Sequence, residues 1–148
     1  MESEDSYQRQ IGFLRLEALR ETGTLPIVQH YLADRDPDIR AASLRALAAI
    51  QGREAIPALV AALGDGHPRV RRAALLALEP LRDTDPSIAP ALIWALRDRK
   101  TEVRMTAADI VSRIPSEEAR AAIRTRVRRE RDPDVRRVLA LAVRRIGT

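Results

Sequence analysis

The chain has 148 residues and no cysteine, and 45% of its residues are apolar while only 3% are aromatic. The length suits one domain of closely packed helices, and the lack of cysteine excludes disulfides, thiol nucleophiles and thiolate metal sites. The net charge is +5, with eleven arginines against five acids in residues 112–148. The acidic N-terminus is unlike a signal peptide and no apolar run reaches the ~20 residues that span a bilayer, so a cytoplasmic protein is expected.

Apolar residues recur at helical spacing and predict nine helices. Three of them have proline in the first turn, at Pro37, Pro68 and Pro133, where its missing N–H breaks no hydrogen bond. Asp36 and Asp132 precede two of these prolines and are good N-caps. The predicted helices lie near residues 6–21, 24–33, 37–50, 54–64, 68–79, 87–97, 101–114, 117–130 and 133–146.

The remaining helix starts offer other caps. His67 and Lys100 are poorer caps than aspartate, whereas the hydroxyls of Thr24 and Ser87 are expected to cap their helices. Small alanines on the helices would let neighbours approach closely. The clearest apolar face consists of Val70, Ala73, Ala74, Ala77, Leu78 and Leu81.

A repeated segment groups these helices into pairs. A β-branched apolar residue followed by arginine occurs four times, at spacings of 31, 33 and 32 residues. An acid precedes each of these arginines by six residues. Because the arginines and the acids recur together at the same spacing, they predict a repeating unit of two helices. The arginines are Arg40, Arg71, Arg104 and Arg136, and the acids are Asp34, Asp65, Asp98 and Glu130.

The segments Asp36-Pro37-Asp38-Ile39-Arg40 and Asp132-Pro133-Asp134-Val135-Arg136 resemble the short HEAT repeat, the version also found in phycobilisome-lyase-like proteins. The resemblance covers residues 24–147. It implies an all-α fold, a right-handed α-solenoid of about four helical-hairpin repeats plus an N-terminal partial repeat. We expect a single domain over 1–148, with residues 1–5 disordered, a degenerate repeat at 6–22, and repeats at 24–52, 53–82, 86–114 and 116–147.

In HEAT arrays an arginine at this position typically pairs with an acid in the turn between repeats. The resemblance therefore implies a structural ladder that fixes the angle between neighbouring repeats. Its members are Asp34, Arg40, Asp65, Arg71, Asp98, Arg104, Glu130 and Arg136.

Nothing in the sequence predicts catalysis or a cofactor. His30 and His67 lie in different repeats and different kinds of helix, and no metalloprotease motif, nucleophile elbow or phosphate loop occurs. We assign no catalytic, cofactor-binding or metal-binding residue and expect a protein that is not an enzyme.

The second helices of HEAT arrays line the concave face, so the resemblance places a partner-binding surface there. Its mixture of apolar, basic and acidic side chains suits a protein partner better than a phosphate backbone. We call this set the second-helix strip: Arg45, Arg72, Leu76, Met105, Asp109, Arg113, Arg137, Leu141 and Arg145. The resulting hypothesis is a protein-binding adaptor or scaffold. Alternatively, Leu76 and Leu141 widen the core.

Other interpretations stay open. The last repeat suits nucleic-acid binding through its arginines, although aromatic residues are not interleaved with them. Trp94 either anchors a partner or covers a neighbouring helix. The phycobilisome-lyase-like relatives imply a role in attaching or removing a bilin, but no chromophore-handling residue is found. The arginines that would contact a nucleic acid are Arg120, Arg124, Arg126, Arg128, Arg129 and Arg131.

The sequence of the final helix predicts an apolar stripe along one side. Leu141 lies outside this stripe and Val143 lies at its margin. A terminal repeat lacks a neighbour on one side, so we expect this helix to pack against a second copy of the chain or a partner that continues the stack. Alternatively, arginine stems cover it. The stripe consists of Val135, Val138, Leu139, Ala142 and Ile146.

Overall fold

The computed structural model describes residues 24–146, so the expectations for residues 1–5, for the degenerate repeat at 6–22 and for the last two residues lie outside it. Over the described residues the chain is helical and has no strand. Short 3-10 segments adjoin the α-helices at Gly52–Ala55, Glu79–Leu81 and Ala95–Arg97. The α-helices are α1 (Leu25–Tyr31), α2 (Pro37–Gln51), α3 (Ile56–Ala62), α4 (Pro68–Leu78), α5 (Ile88–Trp94), α6 (Thr101–Val111), α7 (Glu117–Arg129) and α8 (Pro133–Ile146).

The helices pack as hairpins, as the repeats predict. Contacts join α1 to α2, α3 to α4, α5 to α6 and α7 to α8. The described residues form two compact units, 24–84 (unit 1) and 85–146 (unit 2), whose boundary falls between the second and third predicted repeats. Within unit 1, α2 also packs on α4, and within unit 2, α6 packs on α8. The second helices of neighbouring repeats therefore form the core of each unit.

Alanines line the contact between α2 and α4. Because the side chains are small, the two helices can approach closely while larger residues fill the space beside them. Leu47 and Leu78 are almost wholly buried, and burying one leucine contributes about 1.5–3 kcal/mol. Of the apolar face predicted for this repeat, only Leu81, in the 3-10 segment after α4, is half-buried. The buried alanines are Ala41, Ala42, Ala46, Ala73, Ala74 and Ala77.

The caps follow the backbone conformation more than the residue type. The carboxylate of Asp36 accepts the Asp38 N–H at 2.8 Å, as expected. By contrast, neither Thr24 nor Ser87 makes a side-chain cap. Both have helical φ and ψ, whereas an N-cap side chain reaches the first free N–H groups from an extended backbone. Ser116 is extended and caps α7 by accepting the Ala119 N–H at 3.1 Å.

Side-chain caps also form at the starts of α8 and α4. Asp132 accepts the N–H groups of Asp134 and Val135 at 3.0 and 3.2 Å. His67 accepts the Arg69 N–H through Nδ1 at 3.3 Å, a long bond that agrees with its lower rank as a cap. Lys100 makes no side-chain cap.

The acid before each second helix organises the turn that contains it. In Asp65 the side-chain Oδ1 accepts the His67 N–H at 2.8 Å, and the backbone carbonyl accepts Nη1 of Arg71 at 2.9 Å. In Glu130 the side-chain Oε1 accepts the Asp132 N–H at 3.0 Å, and the carbonyl accepts Nη2 of Arg136 at 2.7 Å. The six-residue offset is therefore the reach of an arginine to a main-chain carbonyl.

The same bonds occur at the other two turns. The carbonyl of Asp34 accepts Nη1 of Arg40 at 2.7 Å, and that of Asp98 accepts Nη1 of Arg104 at 2.9 Å. Both acids also accept the N–H two residues ahead at 2.8 Å. In all four repeats, the acid and the arginine six residues after it therefore stabilise the turn between them.

Two of the four repeated arginines, Arg40 and Arg104, also bind a carboxylate of the following repeat. Arg40 binds Asp65 through Nε and Nη2, both at 2.9 Å. Arg104 binds Glu130 in the same two-pronged way at 2.9 and 3.0 Å. The structure therefore differs from the ladder expected from the sequence, because the acceptor six residues before the arginine is a carbonyl. The carboxylate comes from 25 or 26 residues later in the chain.

Glu130 is the most buried member of this set, with 1% of its surface exposed. Burial by itself raises the pKa of a carboxyl group. Here it is outweighed by hydrogen bonds from Arg104, the Asp132 amide and Arg126, which together lower the pKa of Glu130 from 4.5 to about 2. Asp65 follows the same rule: burial opposes the charge, but Arg40 and the His67 amide bring its pKa below the ordinary value.

This shift predicts a pH-dependent contribution to stability. Because the pKa of Glu130 is lower in the folded state, its contribution is complete above the unfolded value of 4.5 and is lost as the pH falls towards about 2. We predict that Glu130→Gln lowers the free energy of unfolding at pH 7 by about 3 kcal/mol. It should also flatten the acid limb of a plot of unfolding free energy against pH, measured by chemical denaturation.

Glu118→Gln is the matched control, since Glu118 lies exposed on α7, the helix that ends just before Glu130. It should lower the free energy of unfolding by less than about 1 kcal/mol, the contribution of one acid near a helix N-terminus, and leave a steep acid limb. An acid limb that is as steep in Glu130→Gln as in the unchanged chain would refute this account of Glu130.

Candidate functional site

In unit 1 the second-helix strip consists of the exposed side chains of Arg45 on α2 and of Arg72 and Leu76 on α4. Leu76 is 47% exposed, while its neighbour Leu75 is wholly buried. In unit 2, Leu141 on α8 is 56% exposed. Both strip leucines therefore lie on the surface, and the alternative that they widen the core is wrong.

A groove of about 470 Å³ runs beside Leu76, between α2 and α4. Gly52 ends α2 with a φ of +56°, a left-handed conformation that stops the helix there. Small side chains along α2 leave the space open. The groove is lined mainly by Arg45, Ala48, Ala49, Leu76, Pro80 and Leu81.

The groove combines apolar walls with one cationic rim residue. Arg45 is exposed, and among the residues that the structure describes it has no hydrogen-bond or ion-pair partner. Such a surface can take an apolar side chain of a partner beside Leu76, with a carboxylate of the same partner on Arg45.

The strip in unit 2 is more polar. Arg113 pairs with Asp109 one helical turn away, and Arg137 lies 3.5 Å from Asp134. Arg145 donates to the hydroxyl of Ser112 at 3.4 Å. Met105 is half-buried, so Leu141 supplies most of the apolar surface of this strip. Exposed pairs of this kind contribute only about 0–1 kcal/mol to stability and can exchange partners.

The last helix buries the stripe that the sequence predicts. Val135, Leu139 and Ala142 are at most 4% exposed, and Val138 is half-buried. The side chain of Ile146, the last predicted member, lies outside the described residues. Val143 is half-buried at the margin.

Several arginines of the last repeat are bound to acids. Arg120 and Arg124 both lie near Glu117, at 3.7 and 3.1 Å. Arg126 binds the buried Glu130 at 2.6 Å. These ion pairs weaken the positive electrostatic potential that would attract a phosphate backbone. Within the described part of the chain, Arg128, Arg129 and Arg131 are exposed and without such partners.

The remaining candidates have local roles. His67 caps α4, and the ring of His30 lies 5.2 Å from that of Tyr31. No three His, Cys, Asp or Glu side chains between residues 24 and 146 are placed to hold a metal ion. In that same range no helix is long and apolar enough to cross a membrane. Trp94 is 56% exposed, which favours the interpretation of a surface anchor.

Sequence reasoning missed the grooves, because each is formed between helices of different repeats. It also missed Ile27, which is 52% exposed on α1. The cap at Ser116 could have been found, since serine directly precedes Glu117 and Glu118, and acids in the first turn are typical of helix starts.

Comparisons with known proteins agree with this geometry. A family model described as HEAT repeats matches residues 2–79 and 57–144. No curated protein matches the chain. A solved structure, the complex of CpcE and CpcF of phycocyanin lyase from Nostoc sp. PCC7120, contains a chain that is 25% identical, with a TM-score of 0.72. The similarity covers 89% of this chain and 86% of that chain. The chain therefore belongs to the HEAT-repeat family and has its all-α solenoid fold.

Proposed function

We propose that this protein is a protein-binding adaptor or scaffold whose partner binds the second-helix strip. Within that strip, Leu76 and its groove in unit 1 are the anchor. The observation that carries the proposal is a half-exposed leucine beside an open groove with apolar walls and a cationic rim.

The chemistry of this surface supports a protein partner. Interface anchors are apolar side chains that fill pockets, surrounded by polar residues that exclude water. Fully burying a leucine contributes about 1.5–3 kcal/mol, so covering the exposed part of Leu76 adds about half of that. A carboxylate on Arg45 would add orientation more than affinity.

The structural comparison adds support of a different kind. The similar chain was solved as part of a complex of two proteins, CpcE and CpcF. This similarity supports a protein-binding role, because most of the present chain matches a chain that was solved together with a second protein.

A role in a lyase complex is the second candidate, because the similar chain belongs to a phycocyanin lyase. The chain would then bind its partner on the strip while the complex handles a bilin. Adding the purified chain to bilin-bearing phycocyanin and recording the visible spectrum tests whether it acts alone. An unchanged spectrum would exclude bilin removal by the isolated chain and leave the adaptor proposal standing.

Two neighbouring leucines test whether Leu76 is a surface residue. We predict that Leu76→Glu lowers the free energy of unfolding by no more than about 1.5 kcal/mol, because only about half of the side chain is buried. Leu75→Ala should cost about 2–5 kcal/mol, because it leaves a cavity in the core. Chemical denaturation measures both, and a large loss in Leu76→Glu would mean that Leu76 serves the core.

Affinity capture from the native host then tests the binding role. We predict that the unchanged chain retains a protein after nuclease treatment and that Leu76→Glu does not. Ile27→Glu is the matched control, since it adds the same charge to a 52% exposed residue on α1 of the same unit.

Three results would contradict the proposal. One is capture that nuclease abolishes, which would favour nucleic acid. Another is a partner that Leu76→Glu still retains. The third is an equal loss in Ile27→Glu, which would show that added charge alone weakens binding.

A further inference from the structure

Unit 2 contains a second groove, formed by first helices and so distinct from the second-helix strip. It has a volume of about 340 Å³ and lies between α7 and the segment that joins α5 to its 3-10 extension Ala95–Arg97. Apolar side chains form much of it, including Ile93, Leu96 and the small Ala121 and Ala122. Because the alanines are small, the groove remains open to an apolar side chain from outside.

Two guanidinium groups flank this apolar surface. Arg97 is the last residue of its 3-10 segment and Arg129 is the last residue of α7, and both line the groove. Both are exposed, and neither has a hydrogen-bond or ion-pair partner among residues 24–146. Arg126, by contrast, lines the groove while bound to Glu130 at 2.6 Å. Helix dipoles favour cations at helix C-termini, but that effect does not explain why both flank one open groove.

Trp94 does not line the groove, but it lies next to the lining residue Ile93 in the chain and gives a further indication. It is 56% exposed, follows Ile93 directly and lies three residues before Arg97, which places it on the same side of the helix as Arg97. Tryptophan and arginine are the residues most enriched among those that dominate binding energy.

We propose that this groove binds an acidic peptide segment of a partner protein. An apolar side chain of the segment lies on Ile93 and the alanines, and its carboxylates bind Arg97 and Arg129. Guanidinium groups match carboxylates with two parallel hydrogen bonds. From Ala121 to Arg129, α7 extends about 12 Å at 1.5 Å per residue. That length corresponds to about four residues of extended peptide.

The groove fits a peptide better than a nucleic acid. A phosphate backbone needs a continuous row of cations, whereas most of this groove is apolar.

A labelled peptide tests the proposal on the full chain. The probe is fluorescein-Gly-Ser-Leu-Glu-Glu-Ser-Gly-amide, and the readout is fluorescence anisotropy. We expect binding that weakens when the leucine of the probe becomes serine and when its glutamates become glutamines. The double variant Arg97→Gln/Arg129→Gln should weaken binding about ten-fold, the combined effect of two exposed ion pairs.

Matched variants separate the groove from general charge. Arg128→Gln removes the same charge from α7 at an exposed residue that does not line the groove, and it should weaken binding about two-fold or less. Ala121→Glu, at an exposed position in the groove, should weaken it at least as much as the double variant. Trp94 is the only tryptophan of the chain, so saturating unlabelled peptide should shift its emission to shorter wavelength.

Four results would overturn the proposal: no binding up to millimolar peptide, unchanged Trp94 emission at saturation, an effect of Arg128→Gln as large as that of the double variant, or tighter binding of oligothymidylate than of the peptide. Leu76→Glu should leave peptide binding unchanged, so failure here and failure of the adaptor proposal can be told apart.

Discussion

A single acidic residue at the turn before a second helix makes three kinds of bond in this fold. In Asp65 the side chain holds the N–H of its own turn and both prongs of Arg40 from the preceding repeat, while its carbonyl holds Arg71. Glu130 does the same with Arg104 and Arg136. The turn, the start of the next helix and the link between two repeats therefore depend on one residue. Removing it would leave a half-buried guanidinium without its counter-ion, the costly case for a buried pair.

This arrangement separates structural arginines from those that can bind a partner. Arg71 is 4% exposed and points into its turn, whereas Arg72 beside it is exposed on the second-helix strip. Along α4, Leu75 and Leu76 differ in the same way. Because successive helical residues are turned by about 100°, one helix buries its packing face and presents a binding face. The rigid core thus sets the position of Leu76 without using it.

Much of the fold could be predicted from the sequence, because the relevant signals are local. Proline in the first turn, Asp36 as a cap and the buried stripe on α8 depend only on residues within a few turns. The ladder was harder, since a six-residue offset suits a carbonyl as well as a carboxylate. The true partner of Arg40 lies 25 residues away. The prediction that Thr24 caps α1 was wrong for another reason. Capping depends on the φ and ψ of the residue as well as on its type, and Thr24 has a helical backbone.

The site was less predictable than the fold. Helical spacing placed Leu76 and Leu141 off the core, but only packing decides how much of each meets solvent. The two grooves depend on the distance between helices of different repeats, which no local pattern encodes. The sequence offered Trp94 as a candidate anchor, but only the contact between α7 and the 3-10 segment Ala95–Arg97 brings Arg97 and Arg129 to one groove.

A double-mutant cycle on Arg40→Gln and Asp65→Asn tests the link between repeats most directly. The matched cycle is Arg69→Gln and Asp38→Asn, a pair that also joins two repeats but has side chains 65% and 37% exposed. We predict a coupling free energy of about 1–3 kcal/mol in the first cycle and of less than about 1 kcal/mol in the second. A coupling near zero for Arg40 and Asp65, or equal coupling in both cycles, would contradict the central role of the turn carboxylate.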